Sequence, residues 1–180
     1  MARPLRVQAA GAHYHVGARG IDKGPVFLSD EDRERFLVML GDVVERYGWR
    51  CHAYCLMPNH YHLALTTPEP NLGAGMGRLN QVYAQWFNHR HDRVGHLFEQ
   101  RYWSRLVEAE TRFLAVARYI VANPVRAGLA ETPNDYPWSS AAAMNGVTAP
   151  PRFLDLTWVR ALAATCHESV TASAPPTFGV

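Results

Sequence analysis

Residues 49–65 constrain the fold more tightly than any other stretch, because two runs of alternating apolar residues meet there at Pro58-Asn59, a turn-forming pair. In the first run Trp49, Cys51, Ala53, Cys55 and Met57 alternate against Arg50, His52 and Tyr54. In the second, His60, His62 and Ala64 share one face, and Tyr61, Leu63 and Leu65 the other. Two such runs across a tight turn predict an antiparallel hairpin with one face in a core. The other face carries two imidazoles one residue apart, near the start of a strand where a ligand can reach. Two histidines do not close a metal site, and two polar residues on the wetter face of a strand are ordinary. The pair gains meaning only if the rest of the chain supplies another ligand and something for a metal to act on.

The neighbouring segments give this hairpin a setting. Before it, Tyr14, Val16 and Ala18 alternate with His13 and His15 as in a strand, which Arg19-Gly20 ends. Ser29 with Asp32 three residues on predicts a capped helix, and Phe36, Leu37, Leu40, Val43, Val44 and Tyr47 keep a 3.6-residue stripe up to Gly48. After the hairpin, Pro68, Pro70 and the glycines at 73, 75 and 77 read as a break. A second amphipathic helix follows, carrying Met76, Leu79, Val82, Tyr83, Trp86 and Phe87 and stopping near Asn88. The polar run 89–95 reads as a loop, and 103–107 as a fourth strand.

The order strand-helix-strand-strand-helix-strand is the split βαβ pattern of an α+β, ferredoxin-like sandwich, an antiparallel sheet with helices on one face. First and third strands are central neighbours in that topology, which would lay His13 and His15 beside His60 and His62. A third helix, 111–123, buries Phe113, Leu114, Val116, Ala117, Ile120 and Val121 and is stopped by Pro124. It is an addition on the C-terminal side of the sandwich, and it stacks Tyr119 and Asn123 at i and i+4. Residues 136–140 should dock on the body, 157–167 form a last short helix, and the end from Ser169 be disordered. The chain divides into a domain of residues 1–140 and a C-terminal extension of residues 141–180.

A length of 180 residues with 48% hydrophobic content suits one domain with a real core. No run approaches the roughly 18 apolar residues that span a membrane, and no secretory apolar segment opens the chain, so a soluble, cytoplasmic protein is expected. Three cysteines without Cys-x-x-Cys spacing argue against a disulfide framework and a thiolate zinc site, and Cys51 and Cys55 read as small core residues. Net charge is only +2, but between Arg78 and Arg126 eight arginines face four acids. Arginine is the better residue for bidentate phosphate contacts and for stacking on bases, although a high-GC genome alone would favour it over lysine.

Two imidazoles plus one amide oxygen would hold a divalent cation, Mg²⁺ or Mn²⁺, with coordination positions left open, the condition for Lewis-acid catalysis at a phosphoryl oxygen. Asn123 could supply the oxygen, and Tyr119, one turn before it, would then present a phenol beside the same metal. The guanidinium of Arg118 or Arg126 would favour the phenolate. Its attack on a phosphodiester would leave a phosphotyrosine, and because the ester is conserved, strands could be rejoined without ATP.

Four ordered motifs carry a family resemblance: Tyr14-His15-Val16 with Arg19-Gly20; Met57-Pro58-Asn59-His60-Tyr61-His62; Gly95-His96-Leu97-Phe98 with Arg101-Tyr102; and Tyr119-Ile120 with Asn123-Pro124-Val125-Arg126-Ala127-Gly128. In register from about residue 5 to about residue 140, the chain resembles the IS200-like, single-tyrosine HUH transposases, and within them the REP-associated tyrosine transposases. The resemblance implies a nuclease domain that cuts and joins single-stranded DNA beside short hairpins, in the cytoplasm and at the nucleoid. It makes His60 and His62 the metal ligands, Asn123 a third metal-side ligand, and Tyr119 the nucleophile that forms a 5′-phosphotyrosine and leaves a 3′-hydroxyl. Arg101, Arg105 and Arg126 are candidate DNA contacts, with Arg19, Arg118, His15 and His96 beside them on weaker grounds.

Two departures, Ile21 where Asn is common and Glu99 where Gln is common, touch details of DNA contact. A monomer is expected, a dimer with exchanged tyrosine helices being the alternative. The rival functions are a non-catalytic hairpin-binding protein on the same scaffold, a mobile-element IS200-type transposase, and a hydrolytic nuclease that would need an acidic cluster.

Overall fold

A computed structural model describes residues 8–158 and 161. Strands β1 (Ala12–Arg19), β2 (Arg50–Met57), β3 (His60–Thr67) and β4 (Trp103–Val107) form one antiparallel sheet in the order β2-β3-β1-β4. Helices α1 (Asp30–Tyr47) and α2 (Leu72–Arg90) cover one face, burying Tyr14, Val16, Tyr61, Leu63 and Leu65 with Phe36, Leu40, Met76 and Tyr83. This is the expected ferredoxin-like sandwich. Helix α3 (Glu110–Val121) lies on the opposite face, over Ala53, Cys55, Met57 and Ala64, which pack with Phe113, Val116, Ala117 and Ile120.

Several expectations need correction. The single alternating face of residues 49–57 is interrupted by a register shift between Cys51 and Ala53. An extra residue in one strand reverses the sidedness beyond it, so Trp49 and Cys51 belong to the α1/α2 core and Ala53, Cys55 and Met57 to the α3 core. The glycines at 73, 75 and 77 do not break the chain but lie inside α2. A Cβ at Gly75 would overlap the Trp49 indole, whose Nε1–H donates to Asn71 Oδ1 at 2.6 Å. The close approach of tryptophan and helix, not a loop, is what the glycine serves. Nor does α3 reach Asn123. It ends at Val121, and Asn123 opens a separate turn, α4 (Asn123–Arg126), with Pro124 in its first positions, where a missing N–H costs nothing.

The outer edge of β2 is covered by the segment that follows. Leu56 donates its N–H to the Trp138 carbonyl, Tyr136 Oη donates to the Leu56 carbonyl, and Ser140 donates its N–H to the Tyr54 carbonyl. Further along, Asp155 donates its N–H to the Cys51 carbonyl, and Leu154 and Leu156 are buried in the α1/α2 core. Between these two stretches lies α5 (Ala141–Met144). Of the expected last helix at 157–167, Thr157, Trp158 and Ala161 are helical and the other residues lie outside the described ones, as do Cys166 and the end from Ser169. No helix among the described residues is long and apolar enough to cross a membrane.

The start of α1 is fixed as its sequence suggests. Ser29 Oγ accepts from Asp32 N–H at 3.3 Å, and Asp32 Oδ2 accepts from the N–H groups of Ser29 (2.9 Å) and Leu28 (2.7 Å). Asp32 is fully buried, and its other oxygen meets His91 Nε2 at 2.9 Å, tying the start of α1 to the end of α2. Burial pushes this carboxyl upward, but the hydrogen bonds from His91, Leu28 and Ser29 outweigh it and hold the group below its ordinary range. A depressed carboxyl stabilises the fold above the unfolded-state pKa of about 3.9 and loses that contribution as pH falls through the lower, folded value. Asp32→Asn should therefore lower unfolding free energy at neutral pH by about 1–3 kcal/mol in denaturant titrations. The gap to the native protein should close as pH drops below about 4.

Candidate active site

The pairing of β1 with β3 sets Arg19 opposite His60, Gly17 opposite His62 and His15 opposite Ala64. Cross-strand partners point to the same face, so the imidazoles of His15, His60 and His62 gather on the sheet face that α3 partly covers. β4 adds Trp103 opposite Gly17 and Arg105 opposite His15. Tyr119 near the end of α3 and Asn123 at the start of α4 reach the same place. Apart from Gly17 and Ala64, these residues line a cavity of about 550 Å³ that also includes Arg126 and Glu99.

Each histidine has a distinct partner. His60 Nδ1 lies 2.6 Å from Asn59 Oδ1, and the Asn59 amide is itself oriented by donating Nδ2–H to the Lys23 carbonyl at 3.0 Å. An amide oxygen only accepts, so His60 carries its proton on Nδ1 and keeps a lone pair on Nε2. His62 Nδ1 lies 3.1 Å from His15 Nε2. The His60 and His62 rings are perpendicular, with centroids 4.9 Å apart. Burial and then Arg19 lower His60 to about 4, burial and then Arg105 lower His15 to about 4, and burial with the neighbouring His15 and His60 holds His62 well below its ordinary value. All three are neutral at physiological pH, the form in which imidazole ligates a metal.

Asn123 Nδ2 donates to the carbonyls of Tyr119 (3.0 Å) and Ile120 (3.1 Å). Those bonds cap α3 and fix which end of the amide is nitrogen, so Oδ1 is the end available to a cation. The Arg126 guanidinium carbon stands 4.4 Å from the centre of the Tyr119 ring, a cation–π contact. Among the described residues no group of three or more His, Cys, Asp or Glu is gathered to hold a metal. A divalent ion here would need the mixed set of His60, His62 and Asn123, and two neutral imidazoles with an oriented amide fit one. The imidazoles lean toward Mn²⁺, the oxygen toward Mg²⁺ as well.

Of the residues singled out in the sequence, His15, Arg19, His60, His62, Arg105, Tyr119, Asn123 and Arg126 are brought together. His96 and Arg101 instead line an adjoining cavity of about 560 Å³ between α2 and residues 95–101, which shares Glu99 and Gln100 with the first. Arg118 is exposed on α3 and lines neither. Two contributors were missed. Asn59, read only as a turn residue, orients His60. Trp103, read only as a strand residue, stands edge-on to His15 (4.7 Å) and His62 (5.5 Å) and walls the cavity. A glycine inside a strand marks such a close approach, and Gly17 is that signal.

Residues 8–123 match the model of the family described as Transposase IS200 like. The chain belongs to the IS200-like transposase family. Among IS200-like relatives, a Haemophilus influenzae protein provisionally named a REP-associated tyrosine transposase is 25% identical over 130 residues, 66% of this chain and 73% of that one. A solved structure of a REP-associated tyrosine transposase bound to a REP hairpin superposes with a TM-score of 0.67 at 17% identity, covering 87% of this chain and 94% of its own. The IS200-like fold is thus shared with it, including the four-stranded antiparallel sheet with its helices.

A Cβ at Gly17 would overlap the Tyr61 carbonyl oxygen and lie 2.6 Å from the Trp103 ring. Gly17→Ala should cost about 1–3 kcal/mol, seen as a lower denaturation midpoint, because a backbone atom cannot retreat as a side chain can.

Proposed function

We propose that this transposase is a metal-dependent, single-stranded-DNA endonuclease and strand transferase that acts at hairpin elements through a covalent 5′-phosphotyrosine on Tyr119. The observation that carries the reading is the convergence of Tyr119 and Asn123, from α3 and α4, on the cavity lined by His60 and His62. A DNA-binding scaffold without chemistry has no need of that set. The relative solved on a REP hairpin supports hairpin DNA as the substrate class.

His60, His62 and Asn123 would hold Mg²⁺ or Mn²⁺, which supplies Lewis acidity at a phosphoryl oxygen. Arg19, Arg105 and Arg126 hold the phosphates, and His96 and Arg101 meet flanking DNA along the adjoining cavity. Arg118 is left for phosphate contacts on the outer surface. His15, buried at 4% exposure, lies too deep for more than an edge contact with DNA. The Tyr119 phenolic oxygen bonds to phosphorus as the bond to the 3′ oxygen breaks. The phenolic proton passes to solvent, and the departing oxygen takes one up to become a 3′-hydroxyl. Attack of a 3′-hydroxyl on the phosphotyrosine reverses the exchange, so no ATP is consumed. One chain brings all of these groups together, which favours a monomer.

Protein incubated with Mn²⁺ or Mg²⁺ and a hairpin oligonucleotide bearing a single-stranded flank should give a protein–DNA adduct that survives denaturation. Tyr119→Phe should abolish the adduct and leave hairpin binding intact, and His60→Ala with His62→Ala should reduce cleavage to background. An undiminished adduct in Tyr119→Phe would remove the nucleophile assignment, and full cleavage without the histidines would remove the metal role. Binding should weaken steeply with salt, as phosphate contacts release counterions.

A further inference from the structure

We infer that His15 is a positioning residue that makes His62 competent to bind the metal by accepting its Nδ1 proton, which leaves Nε2 with a lone pair; the inference rests on the metal reading above. The two ligand histidines are prepared differently. Asn59 Oδ1 can only accept, so the 2.6 Å bond commits His60 to a proton on Nδ1 and a lone pair on Nε2. The partner of His62 is another imidazole, and the 3.1 Å contact between His62 Nδ1 and His15 Nε2 can carry its proton in either direction.

With the proton on His62 Nδ1, His15 accepts and His62 Nε2 keeps its lone pair. With the proton on His15 Nε2, His62 Nδ1 accepts, and the neutral ring must carry its own proton on Nε2, which cannot then ligate. Only the first arrangement supports a metal. His15 is held in place for it, buried, with its ring against the Trp103 edge at 4.7 Å and that indole seated over Gly17. One ligand is therefore oriented by an amide oxygen that can only accept, and the other depends on which of two imidazoles across the central strands carries the shared proton. A partner that orients a metal-binding imidazole through its second nitrogen typically accounts for about 10–100-fold in metal affinity.

The test is Mn²⁺ binding to the DNA-free protein, measured by calorimetry and by the loss of the free-ion electron paramagnetic resonance signal. His15→Phe keeps a flat ring but has no acceptor, and should weaken Mn²⁺ binding by about 10–100-fold. His15→Gln places an amide oxygen at similar reach, and should restore binding to within a few-fold of native. Circular dichroism and thermal melting identify folded variants, and His15→Gln against the native protein remains informative if His15→Phe does not fold. Native Mn²⁺ affinity in a folded His15→Phe, or a folded His15→Gln as weak as His15→Phe, would overturn the role of His15 alone. A native protein that binds no Mn²⁺ and forms no adduct would overturn the metal reading, and this inference with it.

Discussion

The register between β1 and β3 is the constraint on which the rest of this molecule depends. Pairing Gly17 with His62 brings a residue without a side chain beside a ligand candidate, and the Trp103 indole fills the space from the next strand. A slip by one residue would send His60 and His62 into the α1/α2 core and expose Tyr61, Leu63 and Leu65. The burial of those three side chains therefore fixes the register, and the register places the imidazoles. Hydrophobic packing on one face sets the arrangement of imidazoles on the other.

Much of this was legible in residue order. The Ser29–Asp32 box and Gly48 delimit α1, the latter in the left-handed region at φ 64°, and alternation marked the first three strands, with residues 103–107 read as the fourth. The pairing of first and third strands followed from topology, and of the two histidines it set beside His60 and His62, His15 is there, 3.1 Å from His62, whereas His13 pairs with Thr66 further along the strand and stacks on Phe113. The illegible parts were decided by tertiary contacts. Nothing in residues 49–57 announces the bulge, which arises because β2 serves two cores of opposite sidedness. Three glycines within five residues read as a loop until Trp49 is seen to need the space at Gly75.

At the site itself, the type and spacing of Tyr119 and Asn123 were visible, but not the division of labour within the Asn123 amide. Its nitrogen closes α3 by bonding the carbonyls of residues 119 and 120, so the asparagine is at once the end of one helix and the beginning of another turn. Asn59 escaped notice for the opposite reason. Its turn-forming habit explained its presence fully, and the bond to His60 depends on a side-chain orientation held by the Lys23 carbonyl, from a distant part of the chain.

The covering of β2 by residues 136–140 and 154–155 has a consequence for life in a crowded solution. A four-stranded sheet has two rims, each a row of backbone groups ready to recruit a foreign strand. Here one rim is occupied by the chain's own later residues, and the other belongs to β4, five residues long with an exposed arginine at its centre. A chain cut short before Tyr136 would bare the longer, largely apolar rim of β2. The stretch beyond the sandwich thus acts as a selvedge, binding the raw edge of the sheet so that, among the described residues, the rim left open is that of the short strand with the arginine.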